Sequence, residues 1–99
     1  MPTRRVEFHP EAVTEARGAF EWYQDRSDSA AQAFLAELDA AVAQIIESPE
    51  RWPAFLKGTR RYLFRRFPFF LVYRVASDVV QVVAVAHARR RPGYWRSRA

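Results

Sequence analysis

RRYLFRRFPFFLVYRV, residues 60–75, and VVQVVAVAH, residues 79–87, decide the fold class of this chain. Residues 60–67 alternate in side-chain character with a period of two, which is typical of a β-strand. Residues 69–75 are rich in β-branched and aromatic side chains, which strands favour. Residues 79–87 are too apolar for an edge strand, so we expect this strand to be central. The pattern therefore predicts three consecutive strands, the last two joined by a short turn at 76–78.

The chain before this stretch has apolar residues at helical spacing instead. We predict helices near 10–26 and 28–48, with Pro10 at the first helical position, which suits proline. Ser27 is one candidate cap of the second helix, and Ser29, in a capping box with Gln32, is the other. The apolar stripes contain Val13, Ala16, Phe20 and Tyr23 on the first helix and Phe34, Leu38, Ala41 and Ile45 on the second.

A short strand at 4–8 precedes the helices, and a loop at 50–60 follows them. The element order is thus β-α-α-β-β-β, which predicts an α+β fold with a helical hairpin packed on one face of a mainly antiparallel sheet. A chain of 99 residues predicts one domain over 1–99. Its basic C-terminal tail is residues 89–99.

The two halves of the chain carry opposite charge. Residues 1–50 have a net charge of −6, and residues 51–99 have twelve basic residues against one acid, a net of +11. All basic residues except Lys57 are arginines. Arginine favours bidentate recognition of carboxylate or phosphate. A GC-rich genome also explains a preference for arginine over lysine, but it does not explain the segregation of charge.

The composition excludes several classes of function. The chain has no cysteine and only two histidines, His9 and His87, so we expect no metal site. Three glycines form no phosphate-binding loop, which excludes dinucleotide and nucleotide chemistry, and we expect no cofactor. The absence of cysteine and of a signal-like or membrane-spanning apolar segment predicts a cytoplasmic protein.

General acid–base chemistry is the catalysis that the remaining residues allow. If Val80, Val82, Ala84 and Ala86 face the helices, His87 faces the other side of the sheet, where it can act near pH 7. Tyr94 needs neighbouring cations to lower its pKa before it can act. The alternative for His87 is that it only ends a strand and hydrogen-bonds a carbonyl.

Arginines and aromatic rings near the C-terminus predict a binding surface. An idle tail rarely keeps exposed rings such as those expected for Tyr94 and Trp95. Such a surface suits nucleic acid or an acidic protein segment. The predicted binding residues are Arg60, Arg65, Arg66, Arg74, Arg89, Arg90, Arg91 and Trp95. The alternative is a solvated tail without a partner.

The element order, FHPEA at 8–12, WYQDRS at 22–27 and the long stretches at 60–75 and 82–98 together resemble the RelE/ParE superfamily. These are toxins of bacterial type II toxin–antitoxin systems, and the similarity covers essentially the whole chain. It implies an antitoxin partner with an acidic, partly disordered segment, and a hetero-oligomeric complex. It also implies growth inhibition and plasmid stabilisation.

The superfamily divides into nucleases that cut messenger RNA on the ribosome and poisons of DNA gyrase. The nuclease pattern implies catalytic roles for Arg61, His87 and Tyr94. It also has a second basic residue where this chain has Leu63, and an arginine where this chain has Phe70. Because a scissile phosphate requires nearby positive charge, the resemblance favours the ParE-like branch.

Three functions therefore follow from the sequence. The first is a ParE-like toxin that poisons DNA gyrase, and the second is a RelE-like, ribosome-dependent endoribonuclease. The third is a binding module without toxicity. The sequence alone does not decide whether the protein is an enzyme.

Overall fold

The computed structural model describes residues 4–98, and it has two helices against a four-stranded sheet. The elements in chain order are β1 Arg5–Phe8, α1 Pro10–Gln24, α2 Asp28–Glu47, β2 Arg60–Leu63, β3 Phe69–Ala76 and β4 Val79–His87. A single 3₁₀ turn precedes β2 at Leu56–Gly58, and another follows β4 at Arg96–Arg98. The predicted α+β class and element order are confirmed. Residues 1–3 and Ala99, which belong to the predicted domain and tail, lie outside the described residues.

Local sequence signals set both helix starts. Pro10 begins α1, and the Nδ1 atom of His9 accepts a hydrogen bond of 3.1 Å from the Glu11 N–H. The hydroxyl of Ser27 caps α2 by accepting a bond of 3.2 Å from the Ala30 N–H. Of the two caps that the sequence allowed, Ser27 is therefore the one used. Each cap satisfies a backbone donor that has no partner within its helix.

The sheet has the strand order β1-β4-β3-β2, and β4 is central as predicted. β2 pairs with β3 and β3 with β4 in antiparallel fashion, whereas β1 pairs with β4 in parallel. β2 is shorter than predicted, since it ends at Leu63 rather than at 67. The Arg65 and Arg66 N–H groups instead donate to the Glu37 carboxylate on α2, which holds the β2–β3 connection in a turn.

A bulge in β4 changes which side chains face the helices. Val72 pairs with Ala84 but Tyr73 pairs with Val82, so Val83 is the extra residue. Before the bulge Val80 and Val82 pack in the helix-side core, and after it Val85 does.

The sheet is covered on both faces. On one face, the side chains of α1 and α2 form the main core with the sheet, and Phe34, Leu38 and Ile45 are buried there as predicted. On the other face, Val72, Val83, Ala84 and Trp95 form a second core. The loop before β2 and the C-terminal segment contribute Phe55, Leu56 and Tyr94 to it. The fold is therefore a sheet between a helical layer and a thinner layer of loop and tail.

Among residues 4–98, no helix has the combination of length and apolar character that crossing a membrane requires.

Candidate functional site

The C-terminal segment folds back onto the sheet instead of extending into solvent. Trp95 is 1% exposed and lies against Phe55, with 5.7 Å between ring centroids. The expectation that Trp95 is an exposed ring is therefore wrong, because the second face of the sheet buries it. Tyr94 is half-buried beside it.

Glu15 of α1 holds this segment in place. Its Oε1 atom lies 2.9 Å from Arg98 Nη1, and its Oε2 atom lies 3.1 Å from Arg98 Nη2, so the pair is bidentate. The Tyr94 hydroxyl donates to Glu15 Oε2 at 2.7 Å. The two ion-pair side chains are 9% and 15% exposed, which places the pair in a region shielded from water.

The Glu15–Arg98 pair also hydrogen-bonds to the backbone of β4 at the part of its edge that β1 leaves unpaired. β1 reaches only to Val82, whose carbonyl accepts from the His9 N–H at 2.9 Å. Beyond this point the Val85 N–H donates to Glu15 Oε1 at 3.0 Å, and Arg98 Nη1 donates to the Val83 carbonyl at 3.3 Å. Side chains thus satisfy backbone groups that a neighbouring strand would otherwise pair.

This environment makes Tyr94 a poor proton-transfer group. Burial raises the pKa of Tyr94 first, and its hydrogen bond to the Glu15 carboxylate and the charge of Glu15 raise it further. Arg90 and Arg98 act in the opposite direction but do not reverse the pKa shift. The phenol is therefore a weaker acid than an ordinary tyrosine, and the neighbouring cations do not give it the lowered pKa that the sequence analysis required for catalysis.

His87 lies on the helix side of the sheet, so its predicted placement on the opposite face is wrong. The bulge at Val83 is the cause, because one extra residue exchanges the two faces of the strand. The imidazole packs edge-on against Phe69, 5.0 Å between ring centroids. Its Nδ1 atom accepts from the Arg89 N–H at 3.0 Å, so His87 ends β4 and organises the following turn.

Arg61 lies on the other face, away from His87. Its guanidinium carbon is 4.5 Å from the Phe55 ring centroid and 5.4 Å from that of Phe70. The sheet thus separates Arg61 from His87, and the fold does not assemble the three predicted catalytic residues into one site.

The predicted binding arginines divide into two groups. Arg60 donates to the Trp52 carbonyl at 2.6 Å, and Arg74 donates to Gln81 at 2.7 Å, so both have partners inside the protein. The other group lies at one end of the sheet, where the Ala88 N–H donates to the Pro68 carbonyl at 2.8 Å and brings two turns together. We call this group the cationic end; its exposed members are Arg65, Arg66, Arg89, Arg90 and Arg91.

A groove of about 450 Å³ lies beside the cationic end, and the sequence reasoning missed it. We call it the α1–β4 groove. One wall is formed by Glu15, Gly18, Ala19, Trp22 and Tyr23, and the other by Pro68, Phe69, Val85, His87 and Arg90. The four residues Glu15, Gly18, Ala19 and Trp22 are spaced i, i+3, i+4, i+7 on α1. That spacing places the four residues on one helix face, and it is the only signal of the groove that the sequence contained.

The residues that the structure describes contain no cluster of three or more histidine and carboxylate side chains suited to a metal ion.

Comparisons with known proteins agree with this fold. The family model described as the ParE toxin of the type II toxin–antitoxin system parDE matches residues 6–92. Toxin ParE2 of Mycobacterium tuberculosis, found in strains CDC 1551 / Oshkosh and H37Rv, is 25% identical over 91 residues. That similarity covers 91% of this chain and 87% of the relative.

Two solved structures are similar in fold. A chain of the chromosomal ParDE TA system from P. aeruginosa has a TM-score of 0.74 at 15% identity, over 86% of this chain and 96% of the other. A mutant of E. coli toxin RelE in the free state has a TM-score of 0.61 at 19% identity, over 89% of this chain and 86% of the other. Because the family model spans most of the chain, the protein belongs to the ParE toxin family of type II toxin–antitoxin systems.

Proposed function

We propose that this toxin stops bacterial growth by binding and poisoning DNA gyrase, and that it does not cut RNA. The separation of the predicted catalytic residues carries the proposal. His87 faces α1, whereas Arg61 packs on the opposite face between Phe55 and Phe70. The Tyr94 hydroxyl is bound to Glu15, and its raised pKa makes it a weaker acid than an ordinary tyrosine.

The surface that RNA cleavage would require is also short of cations. Leu63 and Phe70 are register partners on β2 and β3, on the same face as Arg61. Phosphoryl transfer needs positive charge around the scissile phosphate, and here that face of the sheet carries apolar side chains. A toxin that only binds its target protein needs a complementary surface and no catalytic cations.

The cationic end is the proposed gyrase-binding surface. Its arginines project from two adjacent turns, which a rigid sheet holds together. Arginine side chains are frequent anchors of protein interfaces and speed association with acidic partners. Because gyrase acts on the chromosome, this activity belongs in the cytoplasm.

An antitoxin with an acidic, partly disordered segment is the proposed regulator. The charge of +11 over residues 51–99 requires a complement, and a disordered acidic segment can supply it while folding on the toxin. The ParDE system of the similar P. aeruginosa structure supports an antitoxin partner. Toxin and antitoxin would then form a hetero-oligomer.

Two assays with the purified protein test the mechanism. In the first, DNA gyrase and supercoiled plasmid are incubated with the toxin, and linear DNA trapped in the cleavage complex is measured. In the second, ribosomes translating a defined messenger RNA are incubated with the toxin, and cleavage is mapped by primer extension. We expect trapped DNA and intact RNA. Cleaved RNA without trapped DNA would instead establish the ribonuclease, and inactivity in both assays with normal growth would establish a non-toxic binding module.

A further inference from the structure

We propose that Leu63 and Phe70 form the apolar centre of the surface with which this toxin binds its target protein. The guanidinium of Arg61 lies beside these side chains, and we call the three residues the Leu63–Phe70 patch. The inference rests on the proposed function, because it takes DNA gyrase as the target. It adds that apolar contact at the patch, together with charge at the cationic end, holds an acidic surface of gyrase that carries an apolar protrusion.

Leu63 is 60% exposed, more than any other large apolar side chain in the part of the chain that the structure describes. It is the last residue of β2, and Tyr62 before it is buried in the main core. Because side chains alternate along a strand, Leu63 projects from the other face of the sheet. Most of its apolar surface therefore remains open to another molecule on that face.

Phe70 extends this apolar surface onto β3. It is the register partner of Leu63, and side chains directly opposite each other on antiparallel strands lie close together. The Phe70 ring is half-buried at the margin of the second core, where Phe55 packs edge-on against it with 6.1 Å between ring centroids. Single exposed apolar residues are ordinary on protein surfaces, whereas contiguous ones mark interaction sites. Leu63 and Phe70 therefore form a patch that is ordered before any partner binds.

Arg61 adds an ordered cation to the patch. Its guanidinium carbon lies 4.5 Å from the ring centroid of Phe55 and 5.4 Å from that of Phe70. Within residues 4–98, Arg61 forms no ion pair with a carboxylate. An arginine that aromatic rings already hold in place loses less side-chain entropy on binding than a mobile one, and arginine is a frequent interface anchor. Arg61 can therefore bind a carboxylate of the partner beside the apolar contact.

The cationic end borders the patch. Leu63 is two residues before Arg65, and Phe70 pairs with Ala86, three residues before Arg89. An apolar centre with a polar rim is the ordinary anatomy of a protein–protein interface, and a rim of arginines selects an acidic partner. A second copy of the chain fits poorly, since the net charge of +5 makes two copies repel.

The patch suits a protein partner better than a nucleic acid. Phosphate groups are bound by cations and hydrogen-bond donors, and the side chains of Leu63 and Phe70 offer neither. Single-stranded bases stack on exposed aromatic faces, but the Phe70 ring is half-buried and Phe55 packs against it. Burial of an apolar protrusion of a protein is the contact that these two side chains favour.

Surface plasmon resonance with immobilised gyrase and the full-length toxin tests the patch through Leu63→Arg. This change adds positive charge toward an acidic partner but removes apolar contact, so the two kinds of recognition predict opposite results. We expect binding to weaken about tenfold or more, because the burial of leucine is lost and a guanidinium would be desolvated in its place. Val75→Arg is the matched control: Val75 is 42% exposed near the other end of β3, and the change adds the same charge. We expect its affinity to lie within about threefold of wild type.

Leu63→Ala provides a second variant that leaves the charge unchanged. We expect binding to gyrase to weaken about fivefold or more, because part of the buried apolar area is lost from the interface. Val75→Ala is its control, and we expect its affinity to equal that of wild type. Since both side chains are exposed, the four variants should keep the wild-type fold, which circular dichroism and thermal unfolding establish.

Three results would overturn the patch while the gyrase proposal stands. The first is wild-type or tighter gyrase binding by Leu63→Arg, which would show recognition by charge. The second is an equal loss in Leu63→Arg and Val75→Arg, which would show that the position does not matter. The third is normal gyrase binding by Leu63→Ala. Failure of the wild-type toxin to bind gyrase would instead overturn the proposed function and, with it, the assignment of the patch to gyrase.

Discussion

Glu15 and Arg98 form a bidentate ion pair across 83 residues of sequence, with oxygen–nitrogen distances of 2.9 and 3.1 Å. The pair joins the first helix to the last turn of the described chain. Glu15 also accepts from the Val85 N–H, and Arg98 donates to the Val83 carbonyl, at the edge of β4 that has no neighbouring strand. The C-terminal segment is therefore part of the folded domain. Its arginines are not equivalent, because Arg98 is used internally whereas Arg89 and Arg91 remain exposed.

The Glu15–Arg98 pair should be important for stability. Glu15→Ala leaves Arg98, Tyr94 and the Val85 N–H without their common acceptor, and we expect a loss of about 3 kcal/mol in the free energy of unfolding. Urea denaturation measures this loss. Glu11→Ala is the control, because Glu11 is 64% exposed and lies 3.5 Å from Arg98. A surface pair contributes little, so we expect a change below about 1 kcal/mol. Equal effects of the two substitutions would contradict the shielded role of Glu15.

Tyr94→Phe should distinguish a toxin that acts by binding its target from one that acts by catalysis. The substitution keeps the ring in the second core and removes one hydrogen bond to Glu15, so we expect a stability loss of about 1 kcal/mol and unchanged growth inhibition. Growth after induction without antitoxin measures toxicity, and thermal unfolding confirms the fold. A folded Tyr94→Phe protein that is wholly non-toxic would show that the hydroxyl takes part in chemistry.

Trp95→Ala should unfold the second core. The ring is 1% exposed, and truncation of a buried aromatic residue costs about 3–5 kcal/mol. Thermal unfolding should show a large decrease in the melting temperature. Trp22→Ala removes a ring of the same type that is 53% exposed, and we expect its stability to change by less than about 1 kcal/mol. Similar melting temperatures for the two variants would contradict the burial of Trp95.

Alkaline pH should destabilise the protein through Tyr73. Burial raises the pKa of Tyr73 from 10.0 to about 12, and the nearby Arg60 opposes part of that rise. The stabilising contribution is complete below pH 10, where tyrosine is protonated in both states, and it is lost as the pH rises from about 10 to 12. Urea denaturation at pH 9 and at pH 11.5 measures the difference.

Tyr73→Phe is the control for that pH dependence. The Tyr73 hydroxyl donates to the Pro49 carbonyl at 2.6 Å, so the variant loses about 1 kcal/mol at pH 9. Because phenylalanine does not ionise, we expect its stability to fall less steeply than that of wild type between pH 10 and 12. Parallel curves for the two proteins would rule out Tyr73 as a source of the alkaline transition.

The exposed arginines of the cationic end should govern binding to gyrase. We expect Arg89→Ala combined with Arg91→Ala to weaken gyrase binding at least tenfold without changing the melting temperature, because neither side chain has a partner in residues 4–98. Surface plasmon resonance with immobilised gyrase measures the affinity. Arg5→Ala combined with Arg17→Ala removes equal charge elsewhere on the surface. An equal loss in both double variants would indicate a general charge effect.

Local patterns predicted most of the secondary structure. Pro10 and Ser27 mark helix starts because each acts on backbone groups within a turn of itself. The apolar run at 79–87 predicted a central strand, and β4 is central, with one face buried by the helices and the other by the loop and C-terminal segment. The family resemblance likewise depends on these local stretches, and the family match confirms it.

The positions of the site residues were predicted less accurately, because they depend on contacts between residues that are far apart in the sequence. His87 was placed on the wrong face because the pairing register between β3 and β4 creates the bulge, and nothing in the period of β4 indicates it. Trp95 was expected to be exposed because a basic tail contains it, yet the second face of the sheet offers an apolar surface that buries it.

The sequence by itself determined the element order, the charge asymmetry and the family, because these depend on neighbours in the chain and on composition. Only the tertiary structure decided which arginines are free, since Arg98 finds its carboxylate 83 residues away and Arg61 finds its aromatic rings on other elements. It also created the α1–β4 groove, because Gly18 and Trp22 become one wall only when β4 and the turn before β3 supply the other.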